Sequence, residues 1–316
     1  MIKIDKNAFT NCIYLEQISI PSSVNEIGSG AFKNCYYLTK VEIHSEININ
    51  IINPYTFYGC KSLNSIQIPN SVTIIGEHSF EKCTSLKHIS IPLSILSIEN
   101  HSFNECISLL NVSIPYSVTK IGDYAFLGCR TLQNLSVQSL SLDYLGSLSF
   151  FGCTSLNSII IPPVYNIKDN VFRECSLLVN VSLPLTINKI GYSLFLKCKS
   201  ITEIKIPSSV KNIESHAFAE CSSLIKIEIP PSVYSLGNSA FKECLSLKEI
   251  SIPSSVFIIE PYCFEGCSSL IRIMFLSSLN EIQCCTFKGC SSLEVLSIPP
   301  SVKKIGYSAF NYLIKQ

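Results

Sequence analysis

The chain has 316 residues, of which 47% are apolar and 15% charged, and its 24 basic and 23 acidic side chains give a formal charge of +1. This composition argues against disorder and against a broad basic surface that would bind nucleic acid or anionic lipid. No apolar run approaches the roughly 18 residues of a membrane-spanning helix, so we expect neither a membrane span nor a nucleic-acid partner.

The first six residues are charged or aliphatic and pass directly into a repeat, without the apolar core of a signal peptide. This start predicts a cytoplasmic location, and the alternative is the cell surface, reached by a non-classical route. The sixteen cysteines are many for a cytosolic protein. Their regular spacing provides the explanation.

Cysteine recurs along the whole chain at intervals of 23 residues, with single intervals of 25, 24 and 22. A phenylalanine lies three residues before each of these cysteines, and a leucine, or Ile201, lies three residues after. A period of this length predicts a solenoid, in which each unit buries its apolar edge against its neighbours. The repeat cysteines are Cys12, Cys35, Cys60, Cys83, Cys106, Cys129, Cys153, Cys175, Cys198, Cys221, Cys244, Cys267 and Cys290.

The predicted elements follow one order in every repeat, which residues 198–218 illustrate. Ile204 and Ile206 alternate with polar residues, so they predict a short strand with both isoleucines inward. The proline that comes next in ten of the thirteen repeats removes an amide donor and ends the strand. A Ser-Val-x-x-Ile segment then turns the chain with its valine and isoleucine facing the core, and the small Ala217 suits a short helical turn.

About thirteen such repeats of about 23 residues, stacked in parallel, predict a leucine-rich-repeat solenoid of the α/β horseshoe type. Its parallel β-sheet would line the concave side, with short helical turns or irregular structure on the convex side. We expect residues 1–316 to form a single domain, with the partial repeats 1–12 and 299–316 as candidate caps. The alternative for an open end is docking to another copy, which would give a homo-oligomer.

The cysteine column is predicted to consist of buried free thiols, because each thiol occupies an inward position where a small, weakly polar group fits. Nothing in its regularity demands disulfide pairing, which suits a reducing compartment. Cys263 is expected to pack in the same way. Cys284 and Cys285 lie in a predicted turn, either as exposed, oxidisable thiols or as ordinary turn residues.

The pattern Leu-x-x-Ile-x-Ile-Pro-x-Ser-Val-x-x-Ile-Gly-x-x-Ala-Phe-x-x-Cys runs almost intact through residues 15–35 and 109–129. It resembles the BspA-type (Treponema-type) leucine-rich repeats, and the resemblance covers essentially the whole chain. The resemblance implies adhesion, binding of host proteins or other protein–protein interaction. It implies no catalytic residues.

The outward positions of each predicted strand are the fifth and seventh residues after the repeat cysteine. Parallel strands in register bring equivalent positions side by side. The side chains there either neutralise one another as exposed ion pairs or form a charged docking face for a partner protein. The predicted partner-binding residues are Glu203, Lys226, Glu249 and Arg272 at the fifth position and Lys205, Glu228 and Met274 at the seventh.

The middle repeats carry an uncharged strip at the same outward positions. Asn111, Asn134 and Asn180 each begin an Asn-x-Ser sequon there, and Asn100 begins a fourth. If a eukaryotic cell secreted this protein, sugars on these asparagines would cover the concave face. Secretion by such a cell would therefore disfavour partner binding at the concave face, and binding there would argue against such secretion.

The segment Arg272-Ile273-Met274-Phe275 differs from the other strands in carrying a methionine at an outward position. An exposed methionine and an exposed isoleucine beside Arg272 are typical of an interface hot spot. The segment also resembles the short motif by which regulators dock on type-1 protein phosphatase, although Ile273 and Phe275 are expected to point inward.

The sequence contains no Cys-x-x-Cys, His-Glu-x-x-His, Gly-x-Ser-x-Gly or phosphate-binding glycine motif. His78 and His101 lie two residues before Phe80 and Phe103, so they should stack on the outer side of neighbouring repeats. They could chelate a metal, but we favour a solvated polar column. We expect no catalytic residues, no cofactor and no metal.

Together these features favour a non-enzymatic scaffold that binds a partner protein by its concave face. One alternative is a cell-surface adhesin for host or matrix proteins. A second is a regulatory subunit of a protein phosphatase. The identity of the partner is open at this point.

Overall fold

The computed structural model describes residues 2–311, and over that range it contains strands and turns but no helix. In this range there are twenty-six short strands of two kinds, which alternate except at one point where two A strands follow each other. The A strands follow the repeat leucine, and the B strands precede the repeat phenylalanine. The chain divides into two compact units, Met1–Pro162 and Pro163–Gln316. The single domain expected from the sequence stays a prediction.

The first unit is a β-solenoid whose strands pair in parallel with the equivalent strands of the neighbouring turns. Its A strands are β2 (Gln17–Ile20), β4 (Lys40–Ile43), β6 (Ser65–Gln67), β8 (His88–Ser90), β10 (Asn111–Ile114), β12 (Asn134–Val137) and β14 (Ser158–Ile160). Its B strands are β1 (Ile2–Ile4), β3 (Val24–Ile27), β5 (Ile51–Ile52), β7 (Ile74–Ile75), β9 (Ser97–Ile98), β11 (Lys120–Ile121) and β13 (Tyr144–Leu145).

The second unit repeats this plan, again with parallel pairing between equivalent strands. Its A strands are β15 (Asn180–Ser182), β17 (Glu203–Lys205), β19 (Lys226–Glu228), β21 (Glu249–Ile252), β23 (Arg272–Phe275) and β25 (Val295–Leu296). Its B strands are β16 (Lys189–Ile190), β18 (Asn212–Ile213), β20 (Ser235–Leu236), β22 (Ile258–Ile259), β24 (Glu281–Ile282) and β26 (Lys304–Ile305). The leucine-rich-repeat solenoid predicted from the sequence is confirmed.

The B strands correct one expectation, because the sequence pattern indicated only a turn after the proline. Val118 and Ile121 are buried in the core, as predicted. The chain between the proline and the glycine is nevertheless extended, and β11 pairs with β9 through Lys120 with Ser97 and Ile121 with Ile98. This pairing satisfies backbone donors and acceptors that would otherwise be buried without partners.

The outer side of each turn, around the phenylalanine, is held by a regular set of backbone hydrogen bonds. The Phe103 N–H donates to the Ala125 carbonyl of the next turn at 2.8 Å. The Glu105 N–H donates to the Leu127 carbonyl at 2.7 Å. His101 and Glu105 have φ angles of 55° and 58°, whereas a right-handed helix needs successive negative φ angles. Of the two alternatives for this side, the structure therefore contains turns without helix.

Two columns of phenylalanine and cysteine side chains run through the interior beside its leucine, valine and isoleucine residues, and Phe80, Phe103 and Cys106 illustrate both columns. The rings of Phe80 and Phe103 stack with their centroids 5.3 Å apart. The Cys106 thiol donates to the carbonyl of Phe80 in the preceding turn at 3.1 Å. Cysteine thus supplies both a small volume and a donor. The buried column of free thiols is confirmed, except that Cys12 is exposed.

Burial has a direct effect on these thiols, because a low-dielectric interior disfavours the thiolate. Burial, with a smaller contribution from Cys12, raises the pKa of Cys35 to about 11. Burial also raises the pKa of Cys153 to about 12. Cys263 is buried, as predicted. Exposure was one of the alternatives for Cys284 and Cys285, but Cys285 is buried and Cys284 is half-buried.

The partial repeats 1–12 and 299–316, predicted as candidate caps, each carry an ion pair to the adjacent turn. Lys3 pairs with Glu26 at 2.9 Å, and Lys304 pairs with Glu281 at 2.6 Å. Residues 1 and 312–316 lie outside the described residues. The capping role stays a prediction.

Candidate protein-binding face

The outward side chains of β17, β19, β21, β23 and β25 form one surface of the second unit, which we call the A face. At the fifth position, the parallel register places Glu203 beside Lys226 and Lys226 beside Glu249. The same register places Glu249 beside Arg272. All four residues are exposed. The structure therefore brings these predicted residues together in one row.

The seventh position forms a second row on the A face. Lys205 lies beside Glu228, and Ser251 lies beside Met274. Lys205 and Glu228 are exposed, and Met274 is 43% exposed. The two rows together carry acidic and basic side chains in equal number, so the A face has no net field that would select a polyanion.

The charges of the A face stand in register but are not neutralised by direct contact. Within residues 2–311, no ion pair of 4.0 Å or less joins any two of Glu203, Lys226, Glu249 and Arg272. Ion pairs of the second unit lie elsewhere, for example between Lys242 and Glu265 at 2.8 Å. Exposed pairs on strands gain little free energy and lose side-chain entropy. These four charges thus stay available to another molecule.

An apolar spot adjoins Arg272 on the A face, and sequence reasoning found only part of it. Val295 lies beside Arg272 in the register and is 49% exposed. Ile271, Met274 and Leu276 are exposed around the same strand. The signal for Val295 was present in the sequence, since it occupies the fifth position of the next repeat. Ile271, Met274, Leu276 and Val295 define the apolar spot.

The phosphatase-docking resemblance concerns residues that the fold does not present. Ile273 is only 2% exposed and pairs in register with Ile250. The Phe275 ring packs edge-on against Phe287, with the centroids 6.0 Å apart. A docking motif must offer both side chains to its partner, and here Ile273 belongs to the core and Phe275 is half-buried against it.

The uncharged strip of the first unit is held together by its own amides. Asn134 donates from Nδ2 to Oδ1 of Asn111 at 2.6 Å, between β12 and β10. The Asn100 Oδ1 accepts the N–H of Asp123 at 2.9 Å. Because a sugar is attached through Nδ2, glycosylation would involve the donor atom of an existing hydrogen bond at Asn134, whereas Asn111 and Asn100 accept through Oδ1.

The outer turns of the first unit contain a stack of aromatic rings, in which the stacking predicted for the histidines is confirmed. His78 and His101 lie 4.5 Å apart, with their ring planes 11° from parallel. Tyr55 continues the stack from His78, and Tyr124 continues it from His101, each at 4.5 Å. Burial lowers the pKa of His101, and the neighbouring His78 lowers it further.

Two polar side chains lie against this pair of histidines, and sequence reasoning missed both. The Glu81 carboxylate forms a short hydrogen bond with His78 Nδ1. Asn104 places its Nδ2 3.4 Å from His101 Nδ1. Donor atoms of His78, Glu81 and His101 lie within 4.8 Å of one another. Among the described residues, these side chains are the ones arranged so that they could hold a metal ion.

The sequence profile described as "BspA type Leucine rich repeat region (6 copies)" matches residues 1–109, 73–202 and 188–315. No curated protein sequence matches the chain. Over the part of the chain that the structure describes, no helix is long and apolar enough to cross a membrane.

Several solved structures resemble the chain over most of its length. A leucine-rich repeat protein from Bacteroides ovatus is 30% identical, with a TM-score of 0.76, over 99% of this chain and 80% of that one. A leucine rich cell surface protein from Faecalibacterium prausnitzii is 25% identical, with a TM-score of 0.48, over 97% and 83%. The pneumococcal vaccine antigen PcpA is 20% identical, with a TM-score of 0.52, over 96% of this chain and 79% of that one. At this identity the likeness shows a shared fold alone.

Proposed function

Because the chain belongs to the family of BspA-type leucine-rich repeats, we propose that it is a non-enzymatic scaffold that binds a partner protein through the A face of its second unit. The family supports a protein-interaction scaffold in general. The choice of the A face depends on the residues of this chain. We propose no phosphatase role, because Ile273 of the segment that resembled the docking motif belongs to the core and Phe275 is half-buried.

The observation that carries the proposal is the row of exposed, in-register charges next to the apolar spot. Interface hot spots combine arginine or a large apolar side chain with surrounding contacts that exclude water. Arg272 beside Val295 and Met274 has that composition. Glu203, Lys226 and Glu249 would set the orientation of the partner, because a row of alternating charges attracts a complementary row in one register and repels it in others.

The same features describe the partner. It should present an apolar side chain to the apolar spot and charges of alternating sign to the row from Glu203 to Arg272. A neutral face of this kind gives little long-range attraction, so binding should depend only moderately on salt concentration. A nucleic acid would show the opposite behaviour, a steep loss of affinity as salt rises.

The test is an affinity pull-down from native lysate with a variant that carries Glu203→Lys, Lys226→Glu, Arg272→Glu and Met274→Glu. We expect a partner retained by the wild type to bind this variant at least about tenfold more weakly, since hot-spot losses reach about 2 kcal/mol. A control variant, Lys211→Glu with Tyr307→Glu, alters exposed residues outside the A face and changes the net charge equally. It should retain the partner, and circular dichroism should show that all three proteins are folded.

Other outcomes of this experiment would contradict the proposal in defined ways. Equal retention by wild type and the A-face variant would move the contact to the outer turns or to the B strands. Recovery of the chain alone would indicate self-association, which sedimentation of the purified protein would establish as a homo-oligomer. In both cases the A face would not be the binding site.

The alternative function is a cell-surface adhesin that binds host or matrix proteins. BspA-type proteins are often found at the cell surface, and the comparisons give no support to the cytoplasmic location expected from the sequence. Labelling of intact cells with a reagent that does not cross membranes distinguishes the two locations. Strong labelling would favour the adhesin, whereas labelling only after lysis would favour an internal scaffold.

A further inference from the structure

The side chains of His78, Glu81, His101 and Asn104 occupy two equivalent positions in two successive outer turns. The histidines lie two residues before the repeat phenylalanine, and Glu81 and Asn104 lie one residue after it. Both histidines have φ of 55°. The His78 N–H donates to the carbonyl of Asn100 in the next turn at 3.0 Å, which fixes the spacing of the two turns. The fold therefore places four polar side chains at one location.

One of these side chains is incompletely satisfied. Asn104 is 9% exposed, and its Oδ1 is buried without a hydrogen-bond partner among the described residues. A buried polar atom without a partner costs about 1–3 kcal/mol. The Nδ2 of the same amide lies 3.4 Å from His101 Nδ1, and rotation of the amide that exchanges its oxygen and nitrogen would turn Oδ1 toward the two histidines. In that orientation a cation held by the histidines would satisfy this oxygen.

We propose that His78, Glu81, His101 and Asn104 bind a divalent transition-metal ion between these two outer turns. Two imidazole nitrogens, a carboxylate and an amide oxygen suit Zn²⁺ and its neighbours in the first transition row. Ca²⁺ and Mg²⁺ prefer oxygen ligands throughout. The proposal is independent of which protein binds the A face.

The ion can reach the site and requires only a local adjustment. The side chains of His78 and Glu81 are 19% and 10% exposed, so the site opens to solvent on one side. The donor atoms lie within 4.8 Å of one another, whereas Zn²⁺ binds nitrogen and oxygen at about 2.0–2.2 Å. The rings of His78 and His101 must therefore tilt out of their parallel stack toward the ion.

Binding replaces the hydrogen that His78 Nδ1 and Glu81 share, which is released to solvent as a proton. The ion takes the lone pair of Nδ1, and the ring keeps its proton on Nε2. The carboxylate of Glu77 lies 3.8 Å from that Nε2. A carboxylate behind a ligating histidine fixes its tautomer and strengthens the ligand. Glu77 is thus a positioning residue for the proposed site.

The neighbouring turns show that the donor set is specific to this pair of turns. Tyr55 and Tyr124 occupy the histidine position on either side. In the second unit, His216 occupies the same position, but Ala219 stands where Glu81 would be. His216 therefore provides a matched control, with the same backbone geometry and a φ of 58°, but without the carboxylate.

The test uses Zn²⁺ as the probe on the purified full chain, with Cys12 and the other reactive thiols alkylated beforehand. Isothermal titration should give one bound ion per chain. We expect the His78→Tyr/His101→Tyr variant to lose at least about tenfold in affinity, since weaker perturbations of metal sites already cost 10–100-fold. The variant should fold, because tyrosine occupies this column in both flanking turns. His216→Tyr should bind Zn²⁺ like the wild type.

Two further measurements make the result specific. Glu77→Gln should weaken binding by about tenfold through its effect on the histidine, and Co²⁺ should give a visible spectrum without the charge-transfer band of a thiolate ligand. No binding to the alkylated wild type, equal affinity in the double tyrosine variant, or a loss in His216→Tyr would each overturn the proposal.

Discussion

At the scale of single residues, the repeat cysteine has a role that its hydrophobicity alone does not explain. The carbonyl of Phe80 accepts the amide of Cys83 in its own turn and the thiol of Cys106 in the next turn, both at 3.1 Å. The carbonyl of Phe103 accepts the thiol of Cys129 at 3.3 Å. Each thiol therefore links two turns by a hydrogen bond and also fits a buried position that admits only a small side chain.

Replacement of one such thiol should be measurable. Cys106→Ala removes a buried sulfur and a hydrogen bond, so we expect the free energy of unfolding to fall by about 1–2 kcal/mol. Urea denaturation in the presence of a reductant measures this change. Cys12→Ala is the control, because Cys12 is exposed and its loss should stay within about 0.5 kcal/mol. Equal effects of the two substitutions would contradict the linking role.

At the scale of elements, the outer turn depends on the backbone more than on side chains. Gly128 has φ of 69°, and a Cβ there would meet nothing closer than Glu105 Cγ at 3.7 Å. Gly122 ends the B strand β11, and a Cβ there would lie 2.5 Å from the backbone nitrogen of Asn100. Gly128 is needed because its φ angle is positive, and Gly122 is needed because two turns approach each other closely there.

Alanine substitutions separate these two requirements. Gly128→Ala should cost about 1 kcal/mol, because only the positive φ is disfavoured. Gly122→Ala should cost more than about 2 kcal/mol, because backbone atoms of the preceding turn must move. Urea midpoints of the two variants test the order. A greater loss for Gly128→Ala would show that the turns are less closely packed than the structure indicates.

The same comparison shows what sequence reasoning could reach. The phenylalanine and cysteine columns were predictable, since burial repeats with the period of the chain. The B strands were not, because two residues such as Lys120 and Ile121 are too few to show an alternating pattern, and only hydrogen bonds to the next turn make them strands. Glu81 was missed for a related reason: it meets His78 only through a turn whose left-handed residue the sequence does not reveal.

At the scale of the whole molecule, the buried thiols act as a group. Burial raises the pKa of at least twelve of the described cysteines above the ordinary value. From about pH 8.5 upward, these thiols lose their protons in the unfolded chain but keep them in the folded state. The stability that they contribute is fully present below that pH and falls as pH rises toward the folded-state pKa values.

The expected result is a steep loss of stability in mild alkali. Each buried thiol lowers the free energy of unfolding by about 1.4 kcal/mol per pH unit above the unfolded pKa. Urea midpoints measured under reducing conditions should therefore be nearly constant from about pH 7 to 8 and drop sharply by about pH 9.5. A flat profile across this range would mean that the thiols ionise in the folded state.

The regular stacking of the interior phenylalanine rings affects how the number of repeats in such a chain can change during evolution. In the first unit, the contacts of Phe80 with Phe103 recur between Phe103 and Phe126, at centroid distances of 5.3 and 5.1 Å. A turn therefore offers nearly the same surface above and below. Unequal recombination that deletes or duplicates one whole repeat leaves matching surfaces at the junction, whereas a change of one residue has to be accommodated within a single turn, as in the 24-residue interval from Cys129 to Cys153. Such a gene can lengthen or shorten its product in whole steps and keep a foldable core.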